Sequence, residues 1–128
     1  MLTAMITPSS LKIKLQLYCG HEIATGPEKA DLLDAIMREG SISAAGRALG
    51  MSYRRTWLLV NTMNRRWRDR LAETVAGGSG GARVTPLGIT VLTRYRALQK
   101  RVSTSTKCDA LIGLEAAMLP QPRNSQTS

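Results

Sequence analysis

Seven arginines are concentrated in a stretch of 24 residues. They lie between positions 47 and 70, where Asp69 is the only acidic residue, so this stretch holds +6 of the chain's net charge of +9. A guanidinium pairs as a fork with phosphate oxygens and with the edge of guanine. So local an excess of positive charge indicates a polyanionic partner rather than only a solvated face. The seven are Arg47, Arg54, Arg55, Arg65, Arg66, Arg68 and Arg70.

Catalytic and metal-binding chemistry has few residues available. Cys19 and Cys108 are isolated, and His21 is the only histidine. A zinc site needs about four ligands, or three and a water. Cys19 and His21 share a face if a strand runs through them, but nothing orients the histidine for nucleophilic catalysis. We therefore expect no enzymatic activity, no metal, no cofactor and two buried free thiols.

The glycine-rich sequence ETVAGGSGGARVTPLG, residues 73–88, suggests a phosphate-binding loop at first sight. A nucleotide-binding loop needs a strand before it, a Lys-Ser/Thr pair and a helix directly after it. Here the glycines have no lysine and are followed by the strand-like ARVT. The sequence instead predicts a two-stranded hairpin in which glycine supplies the turn conformations.

The elements before the hairpin follow from hydrophobic periodicity and from end signals. LKIKLQLY, residues 11–18, alternates apolar and polar side chains and predicts a half-buried strand. GPEKADLLDAIMREG predicts a helix that begins at Pro27 and ends before Gly40. SISAAGRALG predicts a very short helix, capped by Ser41 or Ser43.

The next helix carries most of the arginines. YRRTWLLVNTMNRRWRDRLA predicts a helix whose buried stripe includes Thr56, Leu59 and Trp67. A short helix, a tight turn at Gly50 and a basic helix together predict a helix-turn-helix, with Gly46 allowing the two helices to cross closely. We expect both tryptophans to pack within the protein rather than to stack on bases.

The second helix of this motif would enter a DNA major groove about 12 Å wide. We predict a recognition helix over residues 52–68 and a wing over residues 73–85, where an arginine is favoured against a narrow minor groove. The predicted DNA contacts are Ser43, Ser52, Tyr53, Arg54, Arg55, Asn61, Arg65, Arg66, Arg68 and Arg83.

A long helical segment begins at Pro86. Its apolar residues recur with gaps of four or three and predict a stripe that packs on a partner helix. STST, residues 103–106, is a poor helix former and predicts a kink or an interruption. The predicted dimer interface consists of Leu87, Val91, Tyr95 and Leu98.

GSISAAGRALGMSYRRTWLLVNTMN followed by GGSGGARVTPLG resembles the N-terminal DNA-binding domain of the molybdate-responsive regulator (ModE) family. That domain is a winged helix related to the LysR-type head, and the resemblance runs from about residue 11 to residue 95. It implies that residues 52–55 begin the recognition helix, and that a two-fold dimer forms through the first helix and the helix after the wing. Full-length members carry β-barrel domains that bind molybdate or tungstate. This sequence has no strand pattern for such domains, so we do not expect either oxyanion to bind this chain by itself.

The expected fold is mainly α: a winged helix-turn-helix with an N-terminal strand, a two-stranded wing and a long C-terminal dimerisation helix. The expected domains are a flexible segment 1–10, the DNA-binding domain 11–85, the dimerisation region 86–119 and a disordered tail 120–128. No apolar run reaches the ~20 residues of a membrane-spanning helix, and the first residues do not resemble a secretion signal. The expected protein is a cytoplasmic, homodimeric regulator that binds double-stranded DNA. The alternative is a winged helix whose basic face binds protein or RNA.

Overall fold

The computed structural model describes residues 11–76 and 80–124. In this part of the chain the element order is β1 (Leu17–Cys19), β2 (Glu22–Thr25), α1 (Pro27–Glu39), α2 (Ile42–Ala48), α3 (Tyr53–Asn64), β3 (Ala72–Thr74), β4 (Ala82–Val84), α4 (Pro86–Ser105) and α5 (Asp109–Ala117). The predicted class, a mainly α winged helix, is confirmed. One compact unit is Lys14–Lys100, and the other includes residues 11–13 and 101–124. Residues 1–10 and 125–128, predicted to be flexible, lie outside the described residues.

The first sheet is a two-stranded antiparallel hairpin made of β1 and β2. Leu17 is opposite Thr25, and Cys19 is opposite Glu22. The predicted strand over residues 11–18 is therefore mostly absent, since residues 11–16 have no regular structure. The pairing with β2 ends at Leu17, so the alternating residues before it have no neighbouring strand on which to form a ladder.

The first two helices end at the residues that the sequence predicts. Pro27 occupies the first turn of α1, and Gly40 ends the helix in the left-handed conformation with φ of 72°, which glycine adopts at little cost. Ser41, rather than Ser43, caps α2, because its Oγ accepts a hydrogen bond of 3.0 Å from the Ala44 N–H.

Helices α2 and α3 cross closely at Gly46. A Cβ atom at this position would overlap the side chain of Thr56, which is fully buried on α3. The Thr56 hydroxyl donates a hydrogen bond of 2.8 Å to the Ser52 carbonyl oxygen, so this buried hydroxyl has a partner. The turn between the helices contains Gly50, whose φ is 73°.

Helix α3 ends at Asn64, earlier than the sequence predicts. Leu71 N–H and Ala72 N–H donate to Asn64 Oδ1 over 2.8 and 3.2 Å, and Asn64 Nδ2 donates to the Ala72 carbonyl oxygen over 2.9 Å. These bonds turn the chain back toward β3. The predicted recognition helix over residues 52–68 is thus wrong beyond Asn64, and the residues Arg65, Arg66 and Arg68 follow the helix.

The wing predicted over residues 73–85 is present as the antiparallel strands β3 and β4. Glu73 is opposite Arg83, and Val75 N–H donates to the Gly81 carbonyl oxygen over 2.8 Å. The wing is tied to the helices because Ala82 N–H donates to the carbonyl oxygen of Gly40 over 2.9 Å. Residues 77–79, which belong to the predicted glycine turn, lie outside the described residues.

The core of the Lys14–Lys100 unit is aliphatic. Its largest fully buried side chains include Leu32, Ile36 and Met63. The predicted interruption of the long helix is confirmed, because α4 ends at Ser105 and α5 begins at Asp109. No helix in the described part of the chain is long and apolar enough to cross a membrane.

Candidate nucleic-acid interface

The first turn of α3 presents polar and aromatic side chains to solvent. Ser52 caps the helix, because its Oγ accepts a hydrogen bond of 3.1 Å from the Arg55 N–H. Tyr53 is 69% exposed, and Arg54 is also exposed. The turn contains no acidic residue. It therefore combines the positive end of a helix with two arginines, which is an arrangement that attracts anions.

Arg55 is exposed but has a partner. Its Nη2 donates hydrogen bonds of 2.7 and 2.6 Å to the two carboxylate oxygens of Glu28, which lies in the first turn of α1. The hydrogen bond to Glu28 raises the pKa of Arg55. Both side chains remain about half exposed, so the pair lies at the surface.

A groove of about 430 Å³ lies between α3 and the wing. Asn61 and Arg65 line it from the helix side, and Glu73 and Thr74 line it from β3. Arg70, which follows the helix, lines it as well. Asn61, Arg65 and Arg70 are exposed. The groove thus combines two arginines, amide and hydroxyl groups, which are groups that contact phosphate, with the carboxylate of Glu73.

Arg66 is largely buried and is bound within its own unit. Its side chain is only 11% exposed, and it forms an ion pair of 2.8 Å with Glu22. Its Nη1 also donates a hydrogen bond of 2.6 Å to the Thr62 carbonyl oxygen. Arg66 therefore connects the end of α3 to β2, whereas Arg68 is exposed.

The two tryptophans pack within the protein, as predicted. Trp67 Nε1 donates a hydrogen bond of 3.2 Å to the Ala24 carbonyl oxygen in β2. Trp57 is half buried against the core, and its ring lies 6.1 Å from that of Tyr53. The exposed Tyr53 ring therefore has an aromatic neighbour, the Trp57 ring, at the start of α3.

Arg83 lies on the wing and is paired across it. Its guanidinium is within 2.8 to 2.9 Å of Glu73 Oε2, and the Arg83 side chain is 69% exposed.

Ser43 is half buried in the first turn of α2, beside the capping Ser41. Of the serines predicted to bind DNA, Ser52 is therefore the more exposed.

The four residues of the predicted dimer interface differ strongly in exposure. Tyr95 is 3% exposed, and its hydroxyl donates a hydrogen bond of 2.6 Å to the Leu15 carbonyl oxygen. Val91 is buried as well, Leu87 is half buried, and Leu98 is 39% exposed. Tyr95 and Val91 of the predicted stripe thus pack inside their own unit, and Tyr95 is bonded to the N-terminal segment at Leu15, whereas Leu98 is open to solvent. All four residues line one groove of about 640 Å³, which three arginines also line.

Several polar residues that position these elements were missed by sequence reasoning. Arg96 on α4 pairs with Asp31 and Asp34 on α1 over 2.7 and 2.6 Å. Asp31 and Asp34 are three residues apart and so share one face of a helix, which is a signal for a cation between them.

The described residues contain no group of three or more potential metal ligands. Both cysteines are free and exposed, contrary to the predicted burial.

Residues 28–89, from the first turn of α1 to the start of α4, match the family of bacterial regulatory helix-turn-helix proteins of the lysR type. The chain is 42% identical over 72 residues to the molybdenum transport protein ModE of Herbaspirillum seropedicae. It is 36% identical over 84 residues to the DNA-binding transcriptional dual regulator ModE of Escherichia coli strain K12. The matched segment is thus similar both to the lysR-type helix-turn-helix domain and to part of the ModE proteins. The resemblance seen in the sequence is thus confirmed, and this family consists of transcriptional regulators rather than enzymes.

The aligned segment is one part of these relatives. The two alignments cover 55% and 66% of this chain but 27% and 30% of the relatives. The molybdenum-pterin-binding protein MopA of Rhodobacter capsulatus is 37% identical over 76 residues, which are 58% of this chain and 29% of MopA. The chain therefore spans less than a third of the length of these three relatives.

Proposed function

We propose that this chain is a transcriptional regulator that binds double-stranded DNA at specific sequences, with the start of α3 in the major groove. The observation that carries the proposal is the exposure of Tyr53 and Arg54 in the first turn of α3, within the segment that matches the lysR-type helix-turn-helix family. In helix-turn-helix complexes the N-terminal residues of the second helix reach the base edges. Arg54 would read a base edge, and the exposed Ser52 would contact a neighbouring phosphate.

The remaining contacts would hold the DNA backbone. Asn61 and Arg65 line the groove between α3 and the wing, and Arg83 is exposed on β4. The half-buried Ser43 would make a minor contact. Arg68 is exposed but lines the groove along α4, so we leave it out of the proposed interface. We leave Arg66 out of the proposed interface, because its guanidinium already contacts Glu22 and Thr62.

The proposed assembly is a homodimer. The groove along α4 is about 640 Å³, and its apolar lining includes Leu87 and Leu98 together with the buried Val91 and Tyr95. The arginines Arg66, Arg68 and Arg94 line it as well. A second copy of the chain that packs on Leu87 and Leu98 would cover this groove. The proposed setting is the cytoplasm, where such a regulator meets its DNA.

The molybdenum roles named for the relatives are not part of the proposal, since the alignments cover 27% and 29% of those proteins.

The alternative function, a basic winged helix that binds RNA or protein, predicts a different preference among nucleic acids. Fluorescence anisotropy with labelled duplex DNA, duplex RNA and single-stranded RNA separates the two functions. The DNA-binding function predicts preference for duplex DNA, and a logarithmic salt dependence with slope of about −5 if about six phosphates are neutralised.

A matched pair of variants sharpens the test. Arg54→Ala removes an exposed arginine of the proposed interface, and Arg101→Ala removes an exposed arginine of α4 outside it. Both lower the net charge by one. We expect Arg54→Ala to weaken DNA binding far more than Arg101→Ala. Equal effects of the two, or tighter binding to RNA than to DNA, would contradict the proposal.

A further inference from the structure

The DNA-binding surface proposed above contains a carboxylate that faces the recognition helix. Helices α2 and α3 have no aspartate or glutamate of their own. Glu28 reaches α3 from the first turn of α1, 27 residues earlier in the chain, and contacts Arg55. An acid beside a DNA-binding surface repels phosphate and so opposes binding.

The geometry of the pair leaves part of Arg55 open. Only Nη2 contacts Glu28, at 2.7 and 2.6 Å from the two carboxylate oxygens, and the described part of the chain offers Nε and Nη1 no other acceptor. The Glu28 carboxylate therefore takes the place that a phosphate group would take on this arginine. A phosphate must displace Glu28 to bind Nη2, whereas a base edge can still receive the remaining donors.

We propose that Glu28 is a specificity-determining residue that withholds Arg55 from the DNA backbone. Backbone contacts supply most of the affinity for any sequence, and base contacts supply the discrimination. Because Glu28 binds Arg55, it lowers the affinity of the protein for every duplex. The loss of affinity is smallest for duplexes in which a base edge accepts a hydrogen bond from the free donors of Arg55. The inference rests on the proposed DNA-binding function and assigns this regulatory role to α1.

The test is Glu28→Gln, which keeps the shape of the side chain but removes its charge. We expect binding to a random-sequence duplex to become two- to fivefold tighter, the range that an exposed ion pair can supply. The salt slope should become steeper by about 0.9, because one more phosphate is neutralised. The sites that Glu28→Gln selects from random duplex DNA should share a weaker consensus sequence than the sites that the wild type selects.

Two further variants separate this role from a general effect of charge. Glu39→Gln removes the same charge from an exposed glutamate at the end of α1 that has no ion pair in the described residues. It should change the affinity and the salt slope less than Glu28→Gln does. In an Arg55→Ala background, Glu28→Gln still removes a repulsive charge, but it should tighten binding less than it does with Arg55 present and should leave the salt slope nearly unchanged, since the arginine that it releases is absent.

The outcomes distinguish this inference from the proposed function. If the wild type fails to prefer duplex DNA, the proposed function is wrong and the inference fails with it. If the wild type binds DNA but Glu28→Gln matches either the wild type or Glu39→Gln, only the inference is overturned. An equal effect of Glu28→Gln with and without Arg55 would overturn it as well.

Discussion

Thr56 of α3 packs directly against Gly46 of α2, where a Cβ atom would overlap its hydroxyl and methyl groups. This contact sets how closely the two helices cross, and it therefore places the start of α3 relative to the rest of the domain. Thr56 is fully buried and hydrogen-bonded to Ser52, so its side chain cannot turn aside without losing that bond.

Gly46→Ala should therefore destabilise the fold by about 1–3 kcal/mol, the usual cost of overpacking. Chemical denaturation followed by circular dichroism measures the free energy of unfolding. Gly113→Ala is the matched control, because a Cβ at this exposed position in α5 would meet nothing within 4 Å. It should be neutral or slightly stabilising. Equal stability of the two variants would contradict the close crossing.

Arg54→Ala and Arg55→Ala should relax the base preference. Each is expected to cost roughly 1–3 kcal/mol at one base position if that arginine reads a base edge. Gel shifts with the preferred duplex and with single-base changes of it measure both the affinity and the preference. The groove assignment fails if both variants keep the wild-type affinity and preference.

Arg83→Ala should weaken binding to every sequence by a similar factor, because the wing is proposed to contact the backbone. The salt slope should become shallower by about 0.9. Glu73→Gln leaves Arg83 in place and removes its partner, so it should not weaken binding. A loss of preference at a single base pair in Arg83→Ala would instead indicate direct readout by the wing.

Arg65 and Arg66 are neighbours with opposite expected effects. Arg66→Ala should lower the free energy of unfolding by about 1–3 kcal/mol, because it removes charged hydrogen bonds to Glu22 and Thr62. Arg65→Ala should leave stability unchanged but weaken DNA binding, since Arg65 is exposed on the groove beside the wing. Thermal melts and anisotropy titrations of both variants check this, and the reverse pattern would refute it.

Leu98→Asp should convert the proposed dimer to a monomer, since it replaces an exposed apolar contact of the groove along α4 with a charged side chain. Ile89→Asp is the control on the same helix, because Ile89 is similarly exposed but does not line the groove. Sedimentation equilibrium at tens of micromolar measures the mass. A wild-type monomer, or a dimer that survives Leu98→Asp, would count against this interface.

The sequence predicts those features whose causes are local. The cap of α2, the ends of α1 at Pro27 and Gly40 and the close approach at Gly46 each depend on residue types at short spacing. The wing is also predicted, because its strands flank a glycine turn in the sequence.

The end of α3 depends on a longer-range contact and is therefore predicted wrongly. Helical spacing continues from Met63 to Trp67, but the Asn64 side chain binds the backbone of Leu71 and Ala72 and turns the chain. Likewise, the pairs Arg55–Glu28 and Arg66–Glu22 join residues 27 and 44 positions apart. Spacing within one helix does not reveal such partners.

Selection of bound sites from a pool of random duplex DNA tests the central claim most directly. The proposed function predicts enrichment of one preferred sequence, and a two-fold dimer predicts a palindrome whose half-sites are one helical turn apart or a multiple of it. Arg54→Ala should lose preference at a defined position of each half-site. Recovery of sequences with no common site, from protein that still binds the pool, would contradict sequence-specific DNA recognition by this chain.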